Sequence, residues 1–138
     1  MEPFVQRIAT DFIAYARYDA GEAPEQVGAD AMAMFELPQE KPELVWEVIR
    51  YIMGQYSDDD LFSSDDSEAK KVIGLVAAGP LEDLLGYHGP NFIERVEEEA
   101  RGDRRMAWAL GGMYQFLMSD EIWSRTRLLA VDWAADRN

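Results

Sequence analysis

The chain has 138 residues, 48% of them hydrophobic, and its 27 acids against 13 Lys and Arg give a formal net charge of −14. That length suits one domain, which buries roughly two-thirds of the surface its unfolded form exposes; the lack of any cysteine excludes a disulfide framework, a thiolate metal site and a cysteine nucleophile. So acidic a surface repels nucleic-acid phosphates and anionic lipid and attracts basic proteins or cations, although acidity also serves solubility alone.

Residues 1–7 carry no secretory pattern, and no apolar run approaches the ~20 residues that a membrane helix needs. A cytoplasmic protein with a single domain over residues 1–138 is therefore expected. A first helix is predicted from Pro3 to about Arg17. Phe4, Ile8, Phe12 and Tyr15 recur there at helical spacing, and Val5, Ala9, Ile13 and Ala16 widen the stripe. Residues 19–24 break the pattern, and a shorter helix from Glu25 to Glu36 follows, with Val27, Ala31, Met34 and Phe35 on one face.

Pro38 and Pro42 bracket a turn, and Pro42 suits the first helical position because its missing N–H is not needed there. The helix it opens, to about Tyr56, has an apolar stripe wider than one face and is read as the central helix. Residues Ser57 to Glu68 read as a strongly acidic loop. Ser67 is placed to cap a helix from Glu68 to Ala78, although Val72 to Val76 also has the composition of a buried strand. Gly79-Pro80 restarts the chain as a helix to Tyr87 that Gly89 terminates, and Pro90 opens another to Arg101, with Phe92, Ile93, Val96 and Ala100 inward. Asp103 caps a helix through Leu117 with the stripe Met106, Leu110, Met113 and Leu117. Ser119 caps the last one, with Ile122, Leu129 and Trp133 turned inward. The fold class is all-α, an orthogonal bundle or a short stack of about seven helices.

Few residues invite chemistry. His88, the lone histidine, lies at a predicted helix end, where a donor favours unpaired carbonyls. Glu82 and Asp83 lie six and five residues before it, off its face, so a capping role is preferred to proton transfer. Glu82 and Asp83 themselves complement the N-terminus of the helix behind Pro80. The acidic loop fails as a calcium loop. Counted from Asp58, Phe62 stands at the fifth position, Ser63 replaces the turn glycine and Ala69 the closing glutamate. The loop instead has the composition of a protein-binding epitope, with Leu61 and Phe62 as apolar anchors rimmed by Asp58, Asp59, Asp60, Asp65 and Asp66. Glu94, Glu97 and Glu98 share a helix face and extend that surface, or else form a plain solvated face. Trp46, Trp108, Trp123 and Trp133 read as core or groove residues. Gly111-Gly112 marks either a close backbone approach or a kink that exposes Trp108 and Tyr114. No phosphate-binding glycine loop, nucleophile elbow or zinc-protease helix occurs.

The stretch Gly79-Pro80-Leu81-Glu82-Asp83-Leu84-Leu85 with His88-Gly89 resembles a bacterial family of small domains of unknown function. Pro42-Glu43, Trp46, the Ile93–Ala100 helix and Leu110–Tyr114 add to the resemblance, which spans roughly residues 30–118. It departs at Met113-Tyr114, where family members often carry Trp. The resemblance implies a helical fold and a bacterial or phage origin, and it transfers no catalytic residue.

The functional expectation is a non-enzymatic, cofactor-free inhibitory binding protein, most concretely an immunity protein that neutralises a bacterial toxin with a basic surface. A regulatory adaptor within a larger assembly, or a phage-encoded inhibitor of a host enzyme, is the alternative. Nucleic acid and membrane are not expected as partners.

Overall fold

The computed structural model describes residues 3–18, 22, 24, 30–63 and 67–130, and among these every regular element is helical. The elements are α1 (Pro3–Ala16), α2 (Ala33–Glu36), α3 (Pro42–Met53), α4 (Asp58–Phe62), α5 (Glu68–Val76), a π-helical turn (Ala77–Leu81), α6 (Glu82–Gly102), α7 (Arg104–Gly111) and α8 (Asp120–Leu129). The all-α expectation holds, and Val72–Val76 lies in a helix rather than a strand.

Helix α3 is broadly buried. Val45, Trp46, Val48, Ile49, Ile52 and Met53 are all covered, so its apolar side chains exceed a single stripe. Helix α1 lays Val5, Ile8, Ala9, Phe12 and Ala16 inward and pairs with α3, whereas Phe4 faces out beneath the Arg7 guanidinium. Helix α6 packs on α7 and α8 at the other side, and α5 with the π-turn touches both groups. One continuous apolar cluster results. Of the helix expected over 25–36, only the last turn is α-helical among the described residues; Val27 lies outside them, as does Trp133. No helix among the described residues is long and apolar enough to cross a membrane.

The chain is helical without interruption from Glu68 to Tyr87, which corrects the expected restart at Gly79-Pro80. Pro80 has no amide hydrogen, and in a regular α-helix its ring collides with the carbonyl four residues earlier. The chain answers by widening to a π-turn, a known way of passing such a residue without ending the helix. Gly79 suits that position because a Cβ would lie 2.9 Å from the Phe35 ring, which is itself packed against the Phe12 and Tyr15 rings of α1. Pro90 disturbs the helix a second time. His88 departs to φ −133°, ψ 28°, and the resulting kink splits α6 where the sequence places a break.

Two capped ends fall where the sequence puts them: Ser67 Oγ accepts from Lys70 N at 3.1 Å, and Ser119 Oγ accepts from Ile122 N at 3.1 Å. Asp103 caps α7, but that helix stops at Gly111 instead of reaching Leu117. Beyond it, residues 112–118 cross α6 as an irregular segment in which Leu117 has a φ of 57°.

Candidate functional site

The acidic segment after α3 is built as structure. Ser57 and Asp60 form a reciprocal capping box, with Ser57 Oγ accepting from Asp60 N at 3.1 Å and Asp60 Oδ2 from Ser57 N at 2.9 Å. The box opens the one-and-a-half turns of α4 in place of the expected loop. Leu61 is 0% exposed and belongs to the core, so it is no surface anchor; four residues on from the cap, helical geometry turns it inward. Phe62 is half-buried, and the Arg104 guanidinium covers its ring at 4.1 Å. Asp58, Asp59 and Asp60 remain exposed, and Asp65 and Asp66 lie outside the described residues.

Arg105 fastens α4 and α7 to the end of α3. Its Nη1 donates to the Met53 carbonyl at 2.7 Å and also to the Tyr56 carbonyl. Its Nε and Nη2 each bond Asp103 at 2.9 Å, and Asp58 lies 3.8 Å away. The fork geometry of a guanidinium allows all of these at once. Nearby, Tyr56 Oη donates to Glu68 at 2.7 Å, and burial followed by this carboxylate pushes the phenol well above its ordinary pKa.

Of the second acidic group, Glu94 and Glu98 are exposed on α6. Glu97 has a side chain only 12% exposed and holds Arg125 of α8 bidentately, one bond at 2.9 Å. Those hydrogen bonds keep its carboxyl below the usual range, so Glu97 joins two helices and is engaged within the fold. Asp58 and Glu98 do come together, on the walls of an open groove that Arg101, Arg104 and Arg105 also line. The groove is of mixed sign. Among the described residues no group of three or more His, Asp and Glu is arranged to hold a metal ion.

His88 uses the kink of α6 to reach sideways: Nε2 lies 2.7 Å from the Gln39 carbonyl in the turn before α3, and the ring packs edge-on against Phe92. The partner is a distant carbonyl instead of its own helix end. His88 is thereby engaged within the fold, by a contact other than the helix-end capping expected.

Among the described residues, four exposed apolar side chains gather where α6 meets the segment after α7. Tyr114 is 77% and Leu117 63% exposed, and Tyr87 and Phe116 are partly so and meet edge-to-face at 6.1 Å. The irregular 112–118 segment presents three of these four, and α6 holds it. Glu82 Oε1 accepts from Tyr114 N at 2.7 Å. At Gly86 the Phe116 carbonyl comes so close that a Cβ would be 2.5 Å from it, and at Gly89 a Cβ would stand 3.3 Å from Ile122. Gln115 Nε2 closes the far end onto the Met118 carbonyl and Asp120, both at 3.0 Å. Thus Glu82 reaches across to another segment and does more than favour its own helix end. Asp83, one turn before Tyr87, is half-buried with no hydrogen-bond donor among the described residues. Burial, then Glu82, raises its carboxyl above the ordinary value. The sequence signal for this platform was the Gly111-Gly112 pair: the second alternative was right about Tyr114, whereas Trp108 is buried.

Comparison with curated proteins and with solved structures returns no match. A model of a family of unknown function, DUF6869, matches residues 18–132, a span that takes in α2 through α8, the π-turn and the whole platform. With that much of its length matched, the chain belongs to the DUF6869 family.

Proposed function

We propose that this chain is a protein-binding module, most concretely an immunity protein of bacterial or phage origin that neutralises a toxin or enzyme with a basic surface. The observation that carries the reading is the platform of Tyr87, Tyr114, Phe116 and Leu117, exposed apolar side chains on a chain of net charge −14. Exposed rings and aliphatic groups inside a charged surround have the composition of interface anchors, and long-range attraction to a cationic partner accelerates encounter. The exposed acids Asp58, Asp59, Asp60, Glu94 and Glu98 add to that field without contributing anchors of their own.

The test is recovery of the partner by pull-down from the native host, followed by binding kinetics at about 0.05 and 0.5 M salt, which bracket strong and weak screening. Association that slows steeply with salt, together with loss of the partner's activity at one equivalent of this chain, supports the immunity reading. Binding that leaves the partner fully active favours the adaptor reading. Association indifferent to salt refutes the electrostatic part of the proposal.

A further inference from the structure

The two segments that build the platform are one-sided in charge. Residues 77–94 and 111–122 contain Glu82, Asp83, Glu94, Asp120 and Glu121 and not a single Lys or Arg. Of the two guanidiniums on α8, that of Arg125 is held by Glu97, and that of Arg127 donates to the Leu110 carbonyl and lies over the Trp123 ring at 3.9 Å. The two segments thus set exposed apolar side chains among acids, with no Lys or Arg within either segment. Asp83 shares a helix face with Gly86 and Tyr87, three and four positions on. It is half-desolvated and accepts no hydrogen bond from a described residue. A half-buried carboxylate next to exposed aromatic faces is a receptor for a Lys or Arg side chain, which gains an ion pair and a ring face together.

Backbone strain points to the same place. A leucine at φ 57° costs roughly 1–2 kcal/mol against the ordinary helical or extended regions. Such a cost persists where surrounding contacts impose it, here the Gly86 crossing and the Glu82 and Gln115 hydrogen bonds. The outcome is a Leu117 side chain held outward, 63% exposed, beside Phe116.

We infer that this platform is the docking site for a cationic segment of the partner protein, in which an aromatic or leucine side chain seats against Tyr114, Phe116 and Leu117 while a neighbouring Lys or Arg pairs with Asp83. The inference rests on the binding-module reading and specifies its surface. A second copy of this chain is disfavoured as occupant, because two molecules of charge −14 would bring like-charged rims together.

The experiment titrates the full-length, 15N-labelled chain with an N-acetylated, C-amidated peptide of sequence Lys-Leu-Arg-Trp-Lys-Leu-Arg, and in parallel with the same peptide carrying Glu at every Lys and Arg. Saturable shifts confined to residues 82–90 and 112–122 with the basic peptide alone support the inference. Asp83→Asn should then weaken binding about threefold or more, and Tyr114→Ser combined with Leu117→Asn about tenfold or more, the usual scale for rim charges and anchors. Asn tolerates the left-handed backbone at 117, so the double variant keeps its fold, and its dispersed amide spectrum verifies that. Equal binding of both peptides, no binding of either, or full affinity in the double variant overturns the site. Concentration-dependent dimerisation in sedimentation, or nuclear Overhauser contacts from Trp133 to Tyr114 in the free chain, overturns it by naming another occupant. Shifts at Asp58, Glu98 and Asp103 instead would move the surface to the mixed-charge groove and leave the binding-module reading standing. That reading falls separately, if the pull-down returns no partner.

Discussion

Leu61 and Phe62 are neighbours in sequence and opposites in the fold. The first is sealed in the core and the second lies half-covered under Arg104. Leu61→Ala should therefore lose about 2–4 kcal/mol of unfolding free energy, by removing buried methyl groups and leaving a cavity, and Phe62→Ala clearly less. Urea denaturation of the two variants measures the difference, and equal losses would contradict the burial assigned to Leu61. The pair also shows where a sequence stops being legible. Acids on both sides made the segment read as a solvated loop, and no local periodicity marks a helix of five residues. The capping signal was nevertheless in view, as Ser57 followed three positions later by Asp60. An acid with a side chain shorter than Glu completes the same reciprocal bonds when the geometry is tight.

Helix boundaries followed their chemistry unevenly. Ser67, Asp103 and Ser119 open helices as their side chains require, and Pro42 starts α3. Gly79-Pro80 was misread because a proline in sequence signals an interruption, and only the packing of Phe35 and the later helix shows that the chain continues through a π-turn. The end of α7 was misread because Met113 and Leu117 keep helical spacing. Met113 is indeed buried, but the chain reaches it through a turn after Gly111-Gly112. At this scale the crossing of residues 112–118 over α6 depends on Gly86. A Cβ there meets the Phe116 carbonyl, a backbone atom with no rotamer by which to retreat. Gly86→Ala should cost about 1–3 kcal/mol as an overpacked contact and should shift the amide resonances of residues 112–118 while leaving those of α1 and α3 in place. An unperturbed 112–118 segment in that variant would mean the crossing is looser than described.

Over the whole molecule, ion pairs join helices that are distant in sequence: Glu43 with Arg95, Arg50 with Glu99, and Glu97 with Arg125. The most covered of these carboxylates, Glu97, has its pKa lowered first by the hydrogen bonds from Arg125. The folded state thus binds this proton less tightly than the unfolded chain does. Its contribution to stability is fully present above the ordinary carboxylate value of about 4.5 and is lost as the pH falls from there through the lowered folded-state value. Asp83 works in the opposite sense, since its raised pKa makes protonation favour the fold. Denaturant midpoints between about pH 3 and 7 should show a smaller acid loss in Glu97→Gln than in the parent, because the variant has already given up that term. Identical pH profiles would mean that the Arg125 bridge does not survive in solution. The fold class was readable from period and caps alone, whereas the platform was not. Its members come from two segments more than twenty residues apart, and only their meeting at Gly86 makes a surface of them.

The π-turn between α5 and α6 has a consequence for heredity as well as for packing. Such a turn holds one residue more than the α-helix it interrupts, and each residue of an α-helix turns the chain by about 100°. Loss of the single codon for Pro80 would leave an intact reading frame and a smoother helix. It would also rotate α6 on its axis by more than a quarter-turn relative to α5, carrying Glu82 and Gly86 away from the segment they hold and Gly89 away from Ile122 of α8. Point substitutions along α6 can be absorbed one at a time, but an in-frame deletion at this turn would misdirect that whole helix face in one step.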